Sequence, residues 1–155
     1  MMISTARGRF AEFEGTIVAD EDDLASATVE VTMKAASLDS GVELRDHFLH
    51  DDLLQVQRYP AVTFRSTRVE GSGDRLTVTG DLTIREVTRP ITLDVKRERA
   101  SRDSEGRTRS AFSARGKFDR REFGLTWNAA LEMGGVMVGD EIKVEISAEA
   151  VRARP

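Results

Sequence analysis

The strongest constraint on the fold is a period-two alternation of apolar and polar residues that recurs along most of the chain. Leu76, Val78, Leu82 and Ile84 occupy one side of this pattern, with Gly80 between them, and mostly threonines occupy the other. Because successive side chains of a β-strand point to opposite faces, the pattern predicts a strand with one buried face. The same alternation recurs in Val29, Val31 and Met33; in Val62, Phe64 and Ser66; in Ile91, Leu93 and Val95; in Phe112, Ala114, Gly116 and Phe118; and in Ile142, Val144, Ile146 and Ala148. With a further segment at 10–18, about seven strands are predicted.

The connections between these segments are short. Gly71-Ser72-Gly73-Asp74 and the segment 86–90 leave no room for a helical crossover, so successive strands are expected to pair antiparallel. The charge-rich stretch 96–109 fits a long hairpin. One window, 41–57, has an irregular apolar face that stops before Pro60, and it predicts a helix that caps one end of the sheet. Periodicity alone leaves a sandwich and a barrel open, in a single domain spanning 1–155.

Composition excludes several classes of function. The chain has 155 residues with 23 basic and 27 acidic side chains, so no basic excess points to nucleic acid. Cysteine is absent, which excludes disulfides, thiolate catalysis and cysteine-ligated zinc. No apolar stretch is long enough for a membrane-spanning helix, and no signal peptide is visible. We therefore expect a cytoplasmic protein as written, or a periplasmic or secreted one if further residues precede Met1.

One polar cluster has the residue types of a metal or acid–base site. It consists of Asp46, His47, His50, Asp51 and Asp52, and the two histidines lie at i, i+3 in the predicted helix. This spacing does not by itself provide a closed coordination geometry. We interpret the cluster as the solvated end of a helix and predict no metal.

Two other patterns imitate binding sites. The glycines of 134–139 have the spacing of a phosphate-binding loop, but Asp140 and Glu141 stand where lysine and serine or threonine are needed. The arginines of the predicted long hairpin alternate with acidic residues, which favours a solvated surface over an anion-binding patch. These arginines are Arg97, Arg99, Arg102, Arg107 and Arg109. We therefore predict no catalytic residues and no cofactor.

A series of ordered motifs runs through the chain from about residue 8 to residue 151. The first half contains Ala36-Ser37-Leu38-Asp39-Ser40-Gly41, Leu44-Arg45-Asp46, Arg58-Tyr59-Pro60 and Thr63-Phe64. The second half contains Gly80-Asp81-Leu82-Thr83-Ile84, Val87-Thr88-Arg89-Pro90, a late loop at 119–128, and Gly139-Asp140-Glu141 before the last strand. Together these motifs resemble the YceI-like family of lipid-binding barrels.

The resemblance implies an eight-stranded, lipocalin-like antiparallel β-barrel that binds a polyisoprenoid or another long-chain lipid in an elongated cavity, without catalysis. Fatty acid or fatty amide binding, an enzyme acting on a buried apolar substrate, and a structural dimer with a filled core are the alternatives. The implied ligand-lining residues are Phe13, Ile17, Val31, Phe48, Phe64, Leu76, Val78, Leu82, Ile84, Leu93, Phe112, Phe118 and Trp127. The implied polar end of the pocket consists of Arg45, Asp46, Arg121 and Asn128. A homodimer is expected, and transient membrane contact is a further hypothesis.

The chain departs from the family pattern in two places. Glu86 stands in a hairpin where the family usually has glycine, so a positive φ at Glu86 would be strained. The family's first strand precedes the segment that resembles Arg7-Gly8-Arg9-Phe10, and this sequence starts only a few residues earlier. We therefore expect one barrel strand to be missing, which leaves a seam between segments 10–18 and 142–150 that favours dimerisation.

Overall fold

The computed structural model describes residues 9–20, 23–39, 41, 43–48, 50–51, 54–98, 101–102, 104–106, 108–125 and 141–151. Strands dominate this part of the chain. They are β1 (Arg9–Phe10), β2 (Phe13–Asp20), β3 (Asp23–Lys34), β4 (Leu38–Asp39), β5 (Ala61–Ser72), β6 (Arg75–Ile84), β7 (Val87–Arg97), β8 (Ser101–Arg102), β9 (Thr108–Asp119) and β10 (Glu141–Val151). The helical elements among the described residues are α1 (Glu43–Phe48), two short 3-10 helices, Ala35–Ser37 and Arg120–Phe123, and the π-helical residues His50 and Asp51.

The main sheet is antiparallel throughout, with the strand order β10-β9-β7-β6-β5-β3-β2, and β8 pairs with β9. A second, two-stranded sheet joins β1 to β4. The main sheet curls into a half-barrel, which confirms the predicted lipocalin-like antiparallel barrel class. Within the described residues, β2 and β10 are the two end strands, so the sheet is open where the sequence predicts a seam.

The strand register brings the alternating apolar positions onto one side of the sheet. Gly15 lies opposite Val31, Val31 opposite Phe64, and Phe64 opposite Leu82, so one row crosses four strands. We call this side the inner face. By register it consists of Phe13, Gly15 and Ile17 in β2; Ala27, Val29, Val31 and Met33 in β3; Val62, Phe64, Ser66 and Val69 in β5; Leu76, Val78, Gly80, Leu82 and Ile84 in β6; Val87, Arg89, Ile91, Leu93, Val95 and Arg97 in β7; Ser110, Phe112, Ala114, Gly116 and Phe118 in β9; and Ile142, Val144, Ile146, Ala148 and Ala150 in β10.

One end of the half-barrel is covered by the non-strand segments. The 3-10 helix Ala35–Ser37 follows β3, and the Ala35 N–H donates to the carbonyl of Pro60 at 2.9 Å. The second 3-10 helix, Arg120–Phe123, follows β9 and contacts β7. Ala35, Leu54, Phe123 and Leu125 are buried in the same core as the inner face. We call this end the capped end, and the opposite end, at the β5–β6 turn, the open end.

The predicted helix 41–57 is wrong in length. Among the described residues of this window, Glu43–Phe48 form an α-helix, His50 and Asp51 are π-helical, and Gln55 has a φ of 51°. A residue in the left-handed region cannot continue a right-handed helix, so the chain turns there, with the Val56 N–H donating to the His50 carbonyl at 2.9 Å. Leu54 is nevertheless buried, and Val56 packs against the core. No helix within the described residues combines the length and apolarity needed to cross a membrane.

Two further local expectations need correction. Segment 10–18 is not one strand, because Ala11 and Glu12 separate β1 from β2 by bonding to Ser37 and Lys34. In the β6–β7 hairpin the positive φ, 58°, belongs to Arg85 and not to Glu86. Ile84 pairs with Val87, so Arg85 and Glu86 alone make the turn, and the first turn residue takes the left-handed conformation.

Candidate ligand-binding face

The predicted ligand-lining residues on the described strands all lie on the inner face, but their burial differs with position. Phe64, Val78, Leu82, Ile84 and Leu93, near the centre of the sheet, are buried. The members toward the ends of the sheet or its strands, Val31, Leu76, Phe112 and Phe118, are half-buried. At the β2 end, Phe13 is 50% exposed and Ile17 is 44% exposed. The inner face is therefore a packed core at its centre and an accessible apolar surface at the β2 end.

Two inner-face glycines allow close packing in the centre. A Cβ built on Gly80 would lie 2.5 Å from Cζ of Phe64 and 2.6 Å from the carbonyl oxygen of Arg65. A Cβ on Gly116 would lie 2.6 Å from Cδ2 of Leu93. Real Cβ atoms do not approach other atoms this closely, so the Phe64 and Leu93 side chains occupy the volume that larger residues would need.

A buried arginine supports the capped end. Arg120 is 8% exposed, and its Nη1 donates to the carbonyl of Leu125 at 2.7 Å. Beside it Phe123, 1% exposed, packs edge-to-face against Phe118 with ring centroids 5.0 Å apart. Gly124 ends the 3-10 helix with a φ of 70°, and this turn lets the chain bring Leu125 back to Arg120. The capped end is therefore held by polar as well as apolar contacts.

The predicted polar residue Arg121 makes a local ion pair. Its Nη2 lies 2.7 Å from Oδ2 of Asp119, and its backbone N–H donates to Oδ1 at 2.9 Å. The hydrogen bond from the Arg121 side chain, followed by that from its backbone, lowers the pKa of Asp119 to about 2. The pair lies at the surface and caps the start of the 3-10 helix. In this structure Arg121 therefore holds a loop.

The histidine cluster is only partly solvated. His47 is exposed and lies 3.1 Å from Asp51, as expected of a helix end. His50 is half-buried, with Nε2 2.6 Å from the carbonyl oxygen of Leu38, so the prediction of a solvated position is wrong for His50. This contact ties the segment after α1 to β4. Within the described part of the chain, no three His, Asp or Glu side chains lie close enough together to hold a metal ion.

The remaining predicted site residues have a limited structural description. Arg45, Asp46 and Phe48 lie in α1, and Asp46 is half-buried. Trp127 and Asn128 lie outside the described residues. The polar end of the pocket formed by Arg45, Asp46, Arg121 and Asn128 therefore stays a prediction.

Two open cavities have more polar than apolar lining residues. One, of about 430 Å³, is lined by Lys117, Phe118, Asp119, Arg121, Glu122 and Glu141. The other, of about 350 Å³, is lined by Glu30, Val31, Thr32, Thr63, Phe64, Arg65, Asp81, Thr83 and Thr88. Neither has the predominantly apolar lining expected of a lipid site. The lipid-binding surface that the sequence predicts is therefore better matched by the inner face than by either cavity.

Comparison with known proteins decides the family. A family model of the YceI-like domain matches residues 1–150. The chain is 36% identical to Protein YceI of Escherichia coli O157:H7 over 148 residues, which cover 95% of this chain and 74% of that protein. Protein YceI of Salmonella arizonae is 34% identical with the same coverage. The chain belongs to the YceI-like family.

Solved structures agree with this assignment. The YceI protein of Campylobacter jejuni is 26% identical and superposes with a TM-score of 0.84, covering 99% of this YceI-like chain and 89% of its own. A domain of Saccharophagus degradans described as polyisoprenoid-binding shares the fold, with a TM-score of 0.64, 16% identity, and coverage of 92% of this chain and 83% of its own.

The sequence-based site prediction omits several inner-face residues of this YceI-like chain. Val29, Ile91, Ile142, Val144 and Ile146 have the same parity as the predicted residues, and the register places them on the same face. Their alternation was the available signal. Alternation could not show which of these residues would contact a ligand. It indicates the face of the sheet on which a residue lies, but not whether the residue is packed or accessible.

Proposed function

We propose that this YceI-like chain binds one long apolar molecule non-covalently, a polyisoprenoid in the first place, and stores or carries it without chemical change. The observation that carries the proposal is the inner face, which is apolar across seven strands and stays accessible at its β2 end, where Phe13 and Ile17 are 50% and 44% exposed. An accessible apolar surface that continues into a core is suited to a long apolar ligand.

The relatives and the energetics support this proposal. The S. degradans domain of the same fold is described as polyisoprenoid-binding. β6 spans ten residues, so the inner face is about 33 Å long, enough for an extended lipid tail. At roughly 0.8 kcal/mol per buried CH₂, a tail of about 16 carbons gains on the order of 13 kcal/mol before ordering and association costs. Apolar contact alone is then sufficient for binding.

The experiment compares two neighbouring residues of β2. Ile17 belongs to the inner face, whereas Val18, 65% exposed, points to the other side. Native mass spectrometry followed by organic extraction should find an isoprenoid or acyl chain on the purified protein. Ile17→Asp should lower the lipid content severalfold because it places a charge on the apolar surface, and Val18→Asp should leave the content unchanged. Equal effects of both substitutions, or protein that never carries or binds lipid, would overturn the proposal.

A filled core is the second candidate, because Val78 and Leu82 are only 4% and 5% exposed. Leu82→Trp distinguishes the two candidates. If ligand volume lies beside Leu82, the variant folds but loses lipid. If the core is filled there, overpacking lowers the free energy of unfolding by about 1–3 kcal/mol and leaves lipid content unchanged.

We also propose that the protein is a homodimer. β2 and β10 are the edge strands of the main sheet within the described residues. An edge strand exposes unpaired backbone N–H and C=O groups that can pair with a strand of another chain. Light scattering during gel filtration should give twice the mass of one chain. A monomer at micromolar concentration would contradict this part of the proposal.

A further inference from the structure

The inner face has very few charged positions. Among its described members, only Arg89 and Arg97 are ionisable, and both belong to β7. Arg89 lies toward the capped end and Arg97 at the open end. Eight residue steps separate them along β7, which corresponds to about 26 Å of strand. An apolar face with a cation at either end is suited to a molecule with a long tail and a single anionic group.

Arg97 is the better placed of the two arginines. It lies opposite Phe112 and is half-buried, continuing the alternation of exposed and half-buried residues from Asp94 to the end of β7. Arg89 is exposed, and its Nη1 donates to the carbonyl of Thr88 at 3.1 Å. Among the described residues, no hydrogen bond or ion pair engages the Arg97 guanidinium, and its backbone N–H donates to the carbonyl of Asp74 at 2.7 Å.

Three other arginines of the sheet, Arg65, Arg68 and Arg109, have carboxylate partners. Arg109, which also lies near the open end, is 3.3 Å from Glu149. Arg65 and Arg68 lie on the outer face of the sheet, where they pair with Glu30 and Glu70. Arg97 is half-buried at an inner-face position, and its guanidinium forms no ion pair with the described residues, although the acidic residues Asp74 and Glu98 lie near it in the fold and the sequence. Its planar fork matches the geometry of a carboxylate or a phosphate.

We propose that Arg97 binds the anionic head group, a carboxylate or a phosphate, of a single-chain lipid whose tail lies along the inner face. This assignment rests on the proposed function and adds the chemical class of the ligand. The tail extends from Arg97 across the inner face toward the accessible β2 end, because the side chains at the centre of the face are packed. The head group stays at the open end, within reach of solvent.

The test uses two pairs of probes that differ in head-group charge. Palmitic acid is compared with hexadecanol, and geranylgeranyl phosphate with geranylgeraniol, each bound to delipidated protein below its aggregation threshold. The natural chain should prefer the anionic member of at least one pair by about tenfold, the size expected of a charge-assisted hydrogen bond at a partly exposed site. The pair that shows the preference distinguishes a carboxylate from a phosphate head group.

Four variants locate the effect. Arg97→Gln should remove the preference while leaving the affinity for the uncharged probes unchanged, and Arg97→Lys should retain part of it. Lys96→Gln makes the same charge change at the adjacent position, which faces the other side of the sheet, and should have no effect. Arg89→Gln should also have no effect.

The outcomes separate this assignment from the proposed function. Equal affinity of the natural chain for the charged and uncharged members of both pairs overturns the head-group assignment alone. A loss of preference in Lys96→Gln or Arg89→Gln as large as in Arg97→Gln also overturns it, because the effect would then come from general charge or from the other end. Failure of all four probes to bind the natural chain overturns the proposed function.

Discussion

β6 and β2 contribute to the same apolar face, but their side chains have different environments. β6 is paired on both sides, by β5 and β7, and its Val78, Leu82 and Ile84 are 4–5% exposed. β2 is paired with β3 and is an end strand in the described sheet, and its Phe13 and Ile17 are about half exposed. Equal apolarity therefore does not mean equal roles. We infer that the centre of the sheet stabilises the fold, whereas the β2 end keeps apolar side chains accessible.

The largest expected effect comes from truncating one side chain in each region. Leu82→Ala should lower the free energy of unfolding by about 2–5 kcal/mol, because it leaves a cavity in a packed core. Ile17→Ala should lower it by less than about 1 kcal/mol, because the side chain is largely exposed already. Ile17→Ala should lower the lipid affinity more than Leu82→Ala does, once the affinity is corrected for the fraction of folded protein. Urea unfolding and lipid titration measure the two quantities, and similar stability losses in both variants would contradict the distinction.

A second pair of substitutions compares the space for a Cβ at Gly80, in the centre of the sheet, with that at Gly15, in the end strand. Gly80→Ala places a Cβ 2.5 Å from Phe64 and 2.6 Å from the Arg65 carbonyl, so we expect a loss of about 2–3 kcal/mol. Gly15→Ala places a Cβ 3.2 Å from the Glu30 carbonyl, and a small shift of the end strand should keep the loss below about 1 kcal/mol.

A second substitution separates the two close contacts of the Gly80→Ala Cβ, one with the Phe64 ring and one with the Arg65 carbonyl. Phe64→Leu added to Gly80→Ala should not restore stability, because the contact with the Arg65 carbonyl remains. Urea unfolding of the double variant measures the effect, and recovery to the stability of Phe64→Leu alone would show that only the ring, and not the backbone, limits the position.

The sequence was sufficient for the features that depend on local alternation and on short loops. The strands around Val29, Val62, Leu76, Leu93, and Val144 are all present, and the hairpins pair antiparallel as predicted. These features need only the period of the side chains and the length of the connections.

The features that depended on tertiary contacts could not be predicted in this way. Gln55, with its positive φ, interrupts the predicted helical window before its end, and His50 is half-buried because it reaches the Leu38 carbonyl. The inward position of Arg97 required the register with Phe112. In the sequence, Arg97 is simply the first of several arginines in a charged stretch. The Asp119 partner of Arg121 lies within the same loop, and this pairing could not be read from the alternation of apolar residues.

The turn that joins the two central strands provides a smaller prediction. Arg85 has a φ of 58°, which is unfavourable for a residue with a Cβ. Arg85→Gly should therefore raise the free energy of unfolding by about 1 kcal/mol. Glu86→Gly, at the neighbouring turn position without a positive φ, should lower it slightly through the added flexibility of the unfolded chain. If Glu86→Gly is the stabilising variant, then Glu86, where the family usually has glycine, adopts the positive φ in solution, and Arg85 does not.

The smallest expected effect lies at the end of β9, where Asp119 pairs with Arg121. The pKa of Asp119 is lowered from 3.8 to about 2, so the carboxylate is stabilised in the folded state. Its contribution is fully present above pH 3.8 and is lost as the pH falls toward 2. The backbone amide of Arg121, which donates to this carboxylate at 2.9 Å, reports the protonation directly.

By NMR, the amide resonance of Arg121 should titrate with a midpoint near pH 2, because protonation of Asp119 weakens the hydrogen bond that it accepts. Asp119→Asn should abolish this titration. Amides of β6 should not follow the same curve, since the ion pair is at the surface and β6 is held by strands on both sides. A midpoint near 3.8 would show that the pair does not form in solution. Titration of β6 amides with the same midpoint would show that the end of β9 and the centre of the sheet are coupled, contrary to the separation inferred from burial.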